Sequence, residues 1–149
     1  MLFRSGGWTS TNYAALACTD FPTCHGVLVP AMDHASGFHL FRALGEGVDG
    51  KPLSLEALTA IQWTHRIGAL IVALYMGLLS FYLFKQPAFR PIAILLAVAL
   101  TAQIIIGVSN LVLYLPLLLA VAHNLGAALL VVIIVVLNSK ITQFKPHHH

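Results

Sequence analysis

Charged residues are scarce in this sequence. They make up 9% of its 149 residues, whereas hydrophobic residues make up 58% and the mean hydropathy is +0.86. The basic residues lie singly and without interleaved aromatic side chains, which excludes the basic surface typical of proteins that bind nucleic acid. The apolar residues fall in long blocks rather than at amphipathic spacing, as expected for an integral membrane protein surrounded by lipid.

Three apolar blocks are long enough to cross a bilayer as helices, at about 1.5 Å per residue. They cover residues 58–84, 92–115 and 117–137. We therefore predict an all-α integral membrane fold with three transmembrane helices. Residues 1–57 are then an extracytoplasmic loop segment, residues 58–137 a transmembrane helical bundle, and residues 138–149 a cytoplasmic tail. Ser54 is typical of the N-cap of the first long helix, with Glu56 in the first turn, so this helix is expected to start outside the membrane. The stretch 37–44 suggests a short interfacial helix.

The distribution of charge predicts the orientation in the membrane. All five acidic residues precede the first apolar block, whereas Lys85, Arg90, Lys140 and Lys145 lie in the first short connection or after the third block. Short cationic loops stay in the cytoplasm. We expect residues 1–57 to lie outside a bacterial inner membrane and the C-terminus to lie in the cytoplasm. Because no signal peptide or earlier span precedes the outer segment, we also expect the chain to be incomplete at its start.

Two histidines begin similar apolar stretches, HRIGALIVAL from His65 and HNLGAALLVV from His123. The first and third helices run in the same direction, so the two imidazoles are expected at matching depth near the outer surface. Burial in hydrocarbon favours neutral imidazoles, the form that binds metals. Two histidines without cysteine or carboxylate at that depth favour axial ligation of a haem iron over zinc, which takes four ligands. The alternative is that each histidine only hydrogen-bonds a neighbouring helix.

Other residues are candidates for holding the same cofactor. Gly68 and Gly126 each follow a histidine by three residues, which leaves room for a flat macrocycle or lets helices pack closely. Arg66 can pair with a haem propionate or extend to lipid phosphates. The second apolar block adds a stripe of polar and small residues that is expected to face the bundle interior and to support the ligands: Gln103, Gly107 and Asn110.

The sequence has only two cysteines, Cys18 and Cys24, in the segment CTDFPTC. On the outer face thiols are oxidised, so we predict a structural disulfide, with a redox-active pair as the alternative. Three histidines lie nearby, but their spacing matches no metal site: His25, His34 and His39.

These segments resemble the second half of the haem A synthases, membrane enzymes that oxidise the methyl group of haem O to the formyl group of haem A. The resemblance rests on GGWTSTNYAALACTDFPTCHG, GFHLFRALG, THRIGAL and LPLLLAVAHNLGAALL. It implies one of two pseudo-symmetric four-helix bundles, in which His65 and His123 match the pair that holds haem b. Cys18 and Cys24 match a cysteine pair found in some branches of the family.

The resemblance also implies what this chain lacks. The catalytic half of the family carries a glutamate three residues before its first histidine, and Gln62 stands there, a neutral amide that cannot act as a general base. We therefore expect no catalytic residue here, but an incomplete four-helix bundle that supports haem O oxidation by electron transfer. Expected partners are membrane lipid, an N-terminal catalytic half in cis or in trans, a supplier of haem O and an electron acceptor. A b-type cytochrome subunit and a haem-free assembly protein are the alternatives.

Overall fold

The structure, a computed structural model, describes residues 2–41, 43 and 45–143. In these ranges it contains α-helices and one 3₁₀ helix, with no strand, which confirms the all-α fold class. The α-helices are α1 Leu2–Thr11, α2 His34–Gly37, α3 Leu55–Phe84, α4 Arg90–Val112 and α5 Leu117–Gln143, and the 3₁₀ helix covers Ala14–Leu16.

The three long helices α3, α4 and α5 are each long and apolar enough to cross a membrane, which confirms the three predicted spans. Helix α3 begins at Leu55, which confirms the predicted cap at Ser54: the Ser54 hydroxyl accepts a hydrogen bond from the Ala57 amide (3.2 Å). The ends of the other two helices differ from those of their apolar blocks. Helix α4 ends before residue 115, because Tyr114 and Leu115 adopt left-handed backbone conformations (φ 56° and 62°). Helix α5 continues beyond the apolar block to Gln143.

The helices within the segment that precedes α3 differ from the short helix predicted there from the sequence. Helix α1 was not predicted, because its glycine pair and hydroxyl side chains have low helix propensity. Ser10 and Thr11 instead donate to the carbonyls of Gly6 and Gly7 within the helix (3.1 and 2.9 Å). The interfacial helix predicted over 37–44 is wrong: α2 ends at Gly37, and residues 38–41 and 43 are not helical, while positions 42 and 44 lie outside the described residues.

The described residues form two compact units. The first consists of the residues up to Val72 together with Val108–Pro116. Its core joins the outer segment to the beginning of α3, with Trp8 and Leu58 packed against four buried residues: Ala14, Leu53, Ala57 and Ile61. The Trp8 indole donates to the Gly37 carbonyl (3.0 Å), and this hydrogen bond links α1 to α2 beside the beginning of α3.

The second unit consists of Ala73–Gly107 together with the residues from Leu117 onward. Its core is a set of aliphatic side chains from α3, α4 and α5: Leu83, Ala93, Leu96, Leu100, Leu130, Ile133 and Leu137. The buried Ser80 hydroxyl donates to the Ala93 carbonyl (2.7 Å), which satisfies the polar group inside this apolar core. The remaining surfaces of the three long helices are largely apolar and exposed, as expected for helices that contact lipid.

Candidate functional site

His123 lies on α5 with its ring packed against α4 in the second unit. A Cβ atom added to Gly107 would lie 2.9 Å from His123 Cε1 and 3.5 Å from Nδ1, so the ring occupies space that only a glycine leaves open. His123 Nδ1 is buried, and the described residues give it no hydrogen-bond partner. The imidazole is thus held at a fixed place beside the backbone of α4.

Gln103 lies on α4 one turn before Gly107 and contacts the turn of α5 that carries His123. Its side-chain Nε2 donates to the backbone carbonyl of His123 (2.8 Å). Its Oε1 occupies the space where Gly126 would carry a Cβ atom, and it is buried without a partner among the described residues. In this structure Gly126 therefore accommodates the Gln103 carboxamide, and each of the two helices contributes one polar side chain and one glycine to the contact.

His65 lies on α3 in the first unit, where it is half-buried. A Cβ atom on Gly6 of α1 would lie 3.6 Å from His65 Cε1, an ordinary van der Waals distance, so this contact is looser than that of His123. Gly68 is half-buried one turn further along α3. Because His65 and His123 belong to different units, their joint ligation of one iron stays a prediction.

Gln62 lies one turn before His65 on α3 and is 7% exposed. Its Oε1 is buried without a hydrogen-bond partner among the described residues. A carboxylate at this position would bring a charge into the same buried space, which is costly unless a cation or several donors compensate it. The amide leaves this place polar but uncharged.

Arg66 holds the cysteine loop against α3. It donates from Nη1 to the carbonyl of Thr23 (2.8 Å) and from Nη2 to the carbonyls of Cys18 (2.8 Å) and Asp20 (3.0 Å). Its Cζ also lies 5.9 Å from the centroid of the Phe21 ring, within cation–π range. The guanidinium binds main-chain oxygens here, and the contacts with a propionate or a lipid phosphate stay predictions.

The loop itself is closed by a disulfide between Cys18 and Cys24, both fully buried. Inside it, the Asp20 carboxylate accepts hydrogen bonds from Thr23 Oγ1 (2.5 Å) and from the amides of His25 (2.8 Å) and Gly26 (3.0 Å). The hydroxyl of Thr23, followed by the backbone amides, holds the pKa of the Asp20 carboxyl well below its usual range. The loop is thus a tightly hydrogen-bonded segment that packs on the N-terminal half of α3 through Arg66.

A group of possible metal donors coincides with this disulfide. Donor atoms of Cys18, Cys24 and His25 lie within 4.8 Å of one another. The two sulfur atoms are bonded to each other, however, and only thiolates bind metals strongly. His25 Nε2 lies 3.3 Å from the Thr59 hydroxyl, so the ring already has a polar neighbour on α3.

Two contacts of the site were not predicted from the sequence. The stripe of Gln103 and Gly107 was expected to face the bundle interior, but its partner atoms were not identified. The sequence does contain a signal for this contact. One helix carries a glutamine and a glycine four residues apart, and the next helix carries a histidine and a glycine three residues apart. The bonds of Arg66 to loop carbonyls have no such signal, because main-chain acceptors are present in every sequence.

Comparison with known proteins points to one family. The profile of the cytochrome oxidase assembly protein family matches residues 2–135. The chain is similar to the haem A synthase of Shewanella oneidensis, with 41% identity over 133 residues that cover 89% of this chain and 40% of the relative. It is also similar to the haem A synthase of Maricaulis maris, with 27% identity over 117 residues that cover 77% of this chain and 31% of the relative. The chain thus spans less than half the length of these curated relatives, and no solved structure matches it.

Proposed function

The chain belongs to the haem A synthase family of cytochrome oxidase assembly proteins, and from this premise we propose that it is the haem b-binding, C-terminal half of such an enzyme. In this proposal His65 and His123 would ligate the haem iron, and the half would support the oxidation of haem O to haem A by passing electrons to an acceptor. The catalytic half, in cis or in trans, carries the oxidation site, and the membrane lipid surrounds both.

One observation carries this proposal: the His123 imidazole is fixed beside a glycine inside an apolar helix pair. Gly107 lets the ring approach the backbone of α4, and Gln103 holds the carbonyl of the same residue. A buried imidazole nitrogen without a partner costs free energy in a purely structural residue. The arrangement suits a metal ligand, because one ring nitrogen of such a histidine binds the metal and the hydrogen bond of the other nitrogen orients the ring.

The residues fit a haem in their chemistry. Both histidines lie in apolar helices, where neutral imidazole is the favoured form and Fe–N ligation needs no further charge. Haem supplies one-electron redox chemistry when bound. The protein's tasks are to ligate the iron, to exclude water with the aliphatic faces of the long helices, and to fix the ring planes of the ligands. Gly68 beside His65 provides room for the macrocycle in this proposal.

The propionates are expected near the outer end of α3. Arg66 follows His65 directly in α3, and its planar guanidinium suits a carboxylate. Its present bonds to three loop carbonyls support a role in which the loop and the propionates share one guanidinium. The cysteine loop then lies on the extracytoplasmic side of a bacterial inner membrane, with the C-terminus in the cytoplasm.

The proposal is tested by the absorbance of the purified full chain. Reduced-minus-oxidised spectra are expected to show a b-type signal in the wild type that is lost or strongly reduced in His65→Ala and in His123→Ala. His39→Ala, which removes an exposed histidine of the outer segment, is the matched control and is expected to keep the signal. A wild-type chain without haem, or a signal that survives both ligand substitutions, contradicts the proposal.

A plain b-type cytochrome subunit is the second candidate, and the buried amide of Gln62 favours it, because no general base stands one turn before His65. The two candidates differ in their need for a catalytic half. Co-expression of this chain with the catalytic half of a relative is expected to yield haem A in extracted membranes, and omission of either chain is expected to abolish it. Haem b binding without haem A under co-expression would favour the electron carrier.

A further inference from the structure

We propose that Gln103 is a positioning residue for His123: its carboxamide holds the backbone of the histidine and provides the acceptor for the ring proton on Nδ1. This inference rests on the proposed function, because it concerns the state in which His123 Nε2 binds iron. It assigns to a residue of α4 the task of fixing the orientation and the tautomer of a ligand on α5.

The first half of this role is a bond already present in the structure. Gln103 Nε2 donates to the His123 carbonyl at 2.8 Å. That carbonyl belongs to the same residue whose ring lies against Gly107, one turn along α4 from Gln103. The backbone and the ring of His123 are therefore both held by α4, at two positions on one face of the helix.

The second half follows from two buried atoms that lack partners. His123 Nδ1 and Gln103 Oε1 are both buried, and the described residues give neither a hydrogen bond. When Nε2 ligates a metal, Nδ1 carries the proton and is a donor, whereas an amide oxygen is always an acceptor. One donor and one acceptor thus lie in the contact between α4 and α5, and in the proposed state one buried water, or a reorientation of the carboxamide, would join them.

The space for this carboxamide is provided by Gly126. A side chain at that position would collide with Gln103 Oε1, so the glycine keeps the amide inside the contact between the helices. The glycine three residues after His123 is therefore explained by the Gln103 carboxamide, and no contact with the macrocycle is needed to explain it.

The expected consequence is electronic. A hydrogen bond from Nδ1–H to an acceptor makes the opposite ring nitrogen more basic, which stabilises the ferric state and lowers the midpoint potential. Removal of the acceptor is therefore expected to raise the potential, and a more strongly accepting carboxylate is expected to lower it.

The test compares the wild-type chain with two substitutions that differ in the acceptor. Gln103→Met keeps an unbranched side chain of similar length and removes the acceptor, and Gln103→Glu keeps an oxygen in its place. Thr101→Val, on an exposed position of α4, is the control. The readouts are the haem midpoint potential and the electron paramagnetic resonance signal of the ferric haem in the purified full chain.

The expected order of potentials is Gln103→Met above the wild type and Gln103→Glu at or below it, with Thr101→Val unchanged. A potential and a ferric signal unaltered in Gln103→Met overturn the inference, as does an equal upward shift in both Gln103 variants, which a loss of packing alone would produce. If Gln103→Met accumulates poorly, the glutamate variant decides, because a potential above the wild type overturns the inference. A wild-type chain without any haem signal overturns the proposed function, and the inference falls with it.

Discussion

At the scale of single residues, glycine is the residue on which the contact between α4 and α5 depends. Gly107 leaves the space for the His123 ring, and Gly126 leaves the space for the Gln103 carboxamide. A glycine costs helix propensity, but between membrane helices it permits a close approach that larger residues prevent. On each of the two helices, a glycine leaves the space that a polar side chain of the other helix fills.

Gly107→Ala tests this exchange directly. The new Cβ atom would lie 2.9 Å from His123 Cε1, so the ring must move or the helices must separate, at a cost of about 1–3 kcal/mol for overpacking. We expect a lower thermal unfolding temperature and a lower haem content per chain. Gly77→Ala is the matched control, because nothing lies within 4 Å of its added Cβ atom. Equal behaviour of the two variants would show that the His123 ring is not confined by α4.

A second prediction at this scale concerns the pH dependence of the cysteine loop. The Asp20 carboxyl has its pKa below the ordinary value of about 3.9 because the Thr23 hydroxyl and the loop amides bind the ionised form. Its contribution to stability is therefore full above about pH 4 and is lost as the pH falls towards the lowered pKa. In the absence of reductant, the rate at which an added protease cleaves the loop is expected to rise below that pH in the wild type. Asp20→Asn is expected to be cleaved faster at neutral pH and to lack the acid-dependent rise.

At the scale of elements, Arg66 joins the disulfide-closed loop to α3. Three carbonyls of the loop bind its guanidinium, so the disulfide-closed segment and α3 are held by charge-assisted hydrogen bonds in addition to the apolar core of the first unit. The neighbour of His65 in the sequence is thus the residue that connects the loop with the helix.

Arg66→Gln is expected to loosen this connection. A glutamine has too few donors and too short a reach to replace three bonds to separate carbonyls. The buried disulfide between Cys18 and Cys24 is therefore expected to become accessible, and its reduction by dithiothreitol to become several-fold faster. Arg90→Gln, which alters an exposed arginine bonded to the Phe84 carbonyl, is the control. Equal reduction rates in the two variants would mean that the disulfide is protected by other contacts.

At the scale of the whole molecule, the chain is a multi-pass membrane protein of the haem A synthase family. The orientation stays a prediction from the distribution of charge, with the acidic outer segment on one side and the cationic connection and tail on the other. Since the two native cysteines are joined, a single introduced cysteine can report the side of the membrane without competition from other thiols.

Labelling of introduced cysteines tests the orientation. Val48→Cys replaces an exposed residue of the outer segment, and Ser139→Cys replaces an exposed residue near the end of α5. A maleimide that does not cross membranes is expected to label Val48→Cys in intact spheroplasts and to label Ser139→Cys only after the cells are opened. The reverse pattern would contradict the orientation and would place the disulfide loop in the reducing cytoplasm.

The sequence by itself determined the fold class and the spans, because long apolar blocks have few alternatives to helices in a membrane. It also determined the candidate ligands and the family, since His65 and His123 repeat one motif and the segments around them resemble one group of enzymes. It did not predict α1, whose composition is unfavourable for a helix. Only the tertiary structure decided which atoms meet: Arg66 with the loop carbonyls, Gln103 with His123, and each glycine with the side chain that fills its space. Such contacts depend on the rotation and spacing of helices, which short-range packing sets and which hydropathy and spacing along the chain do not contain.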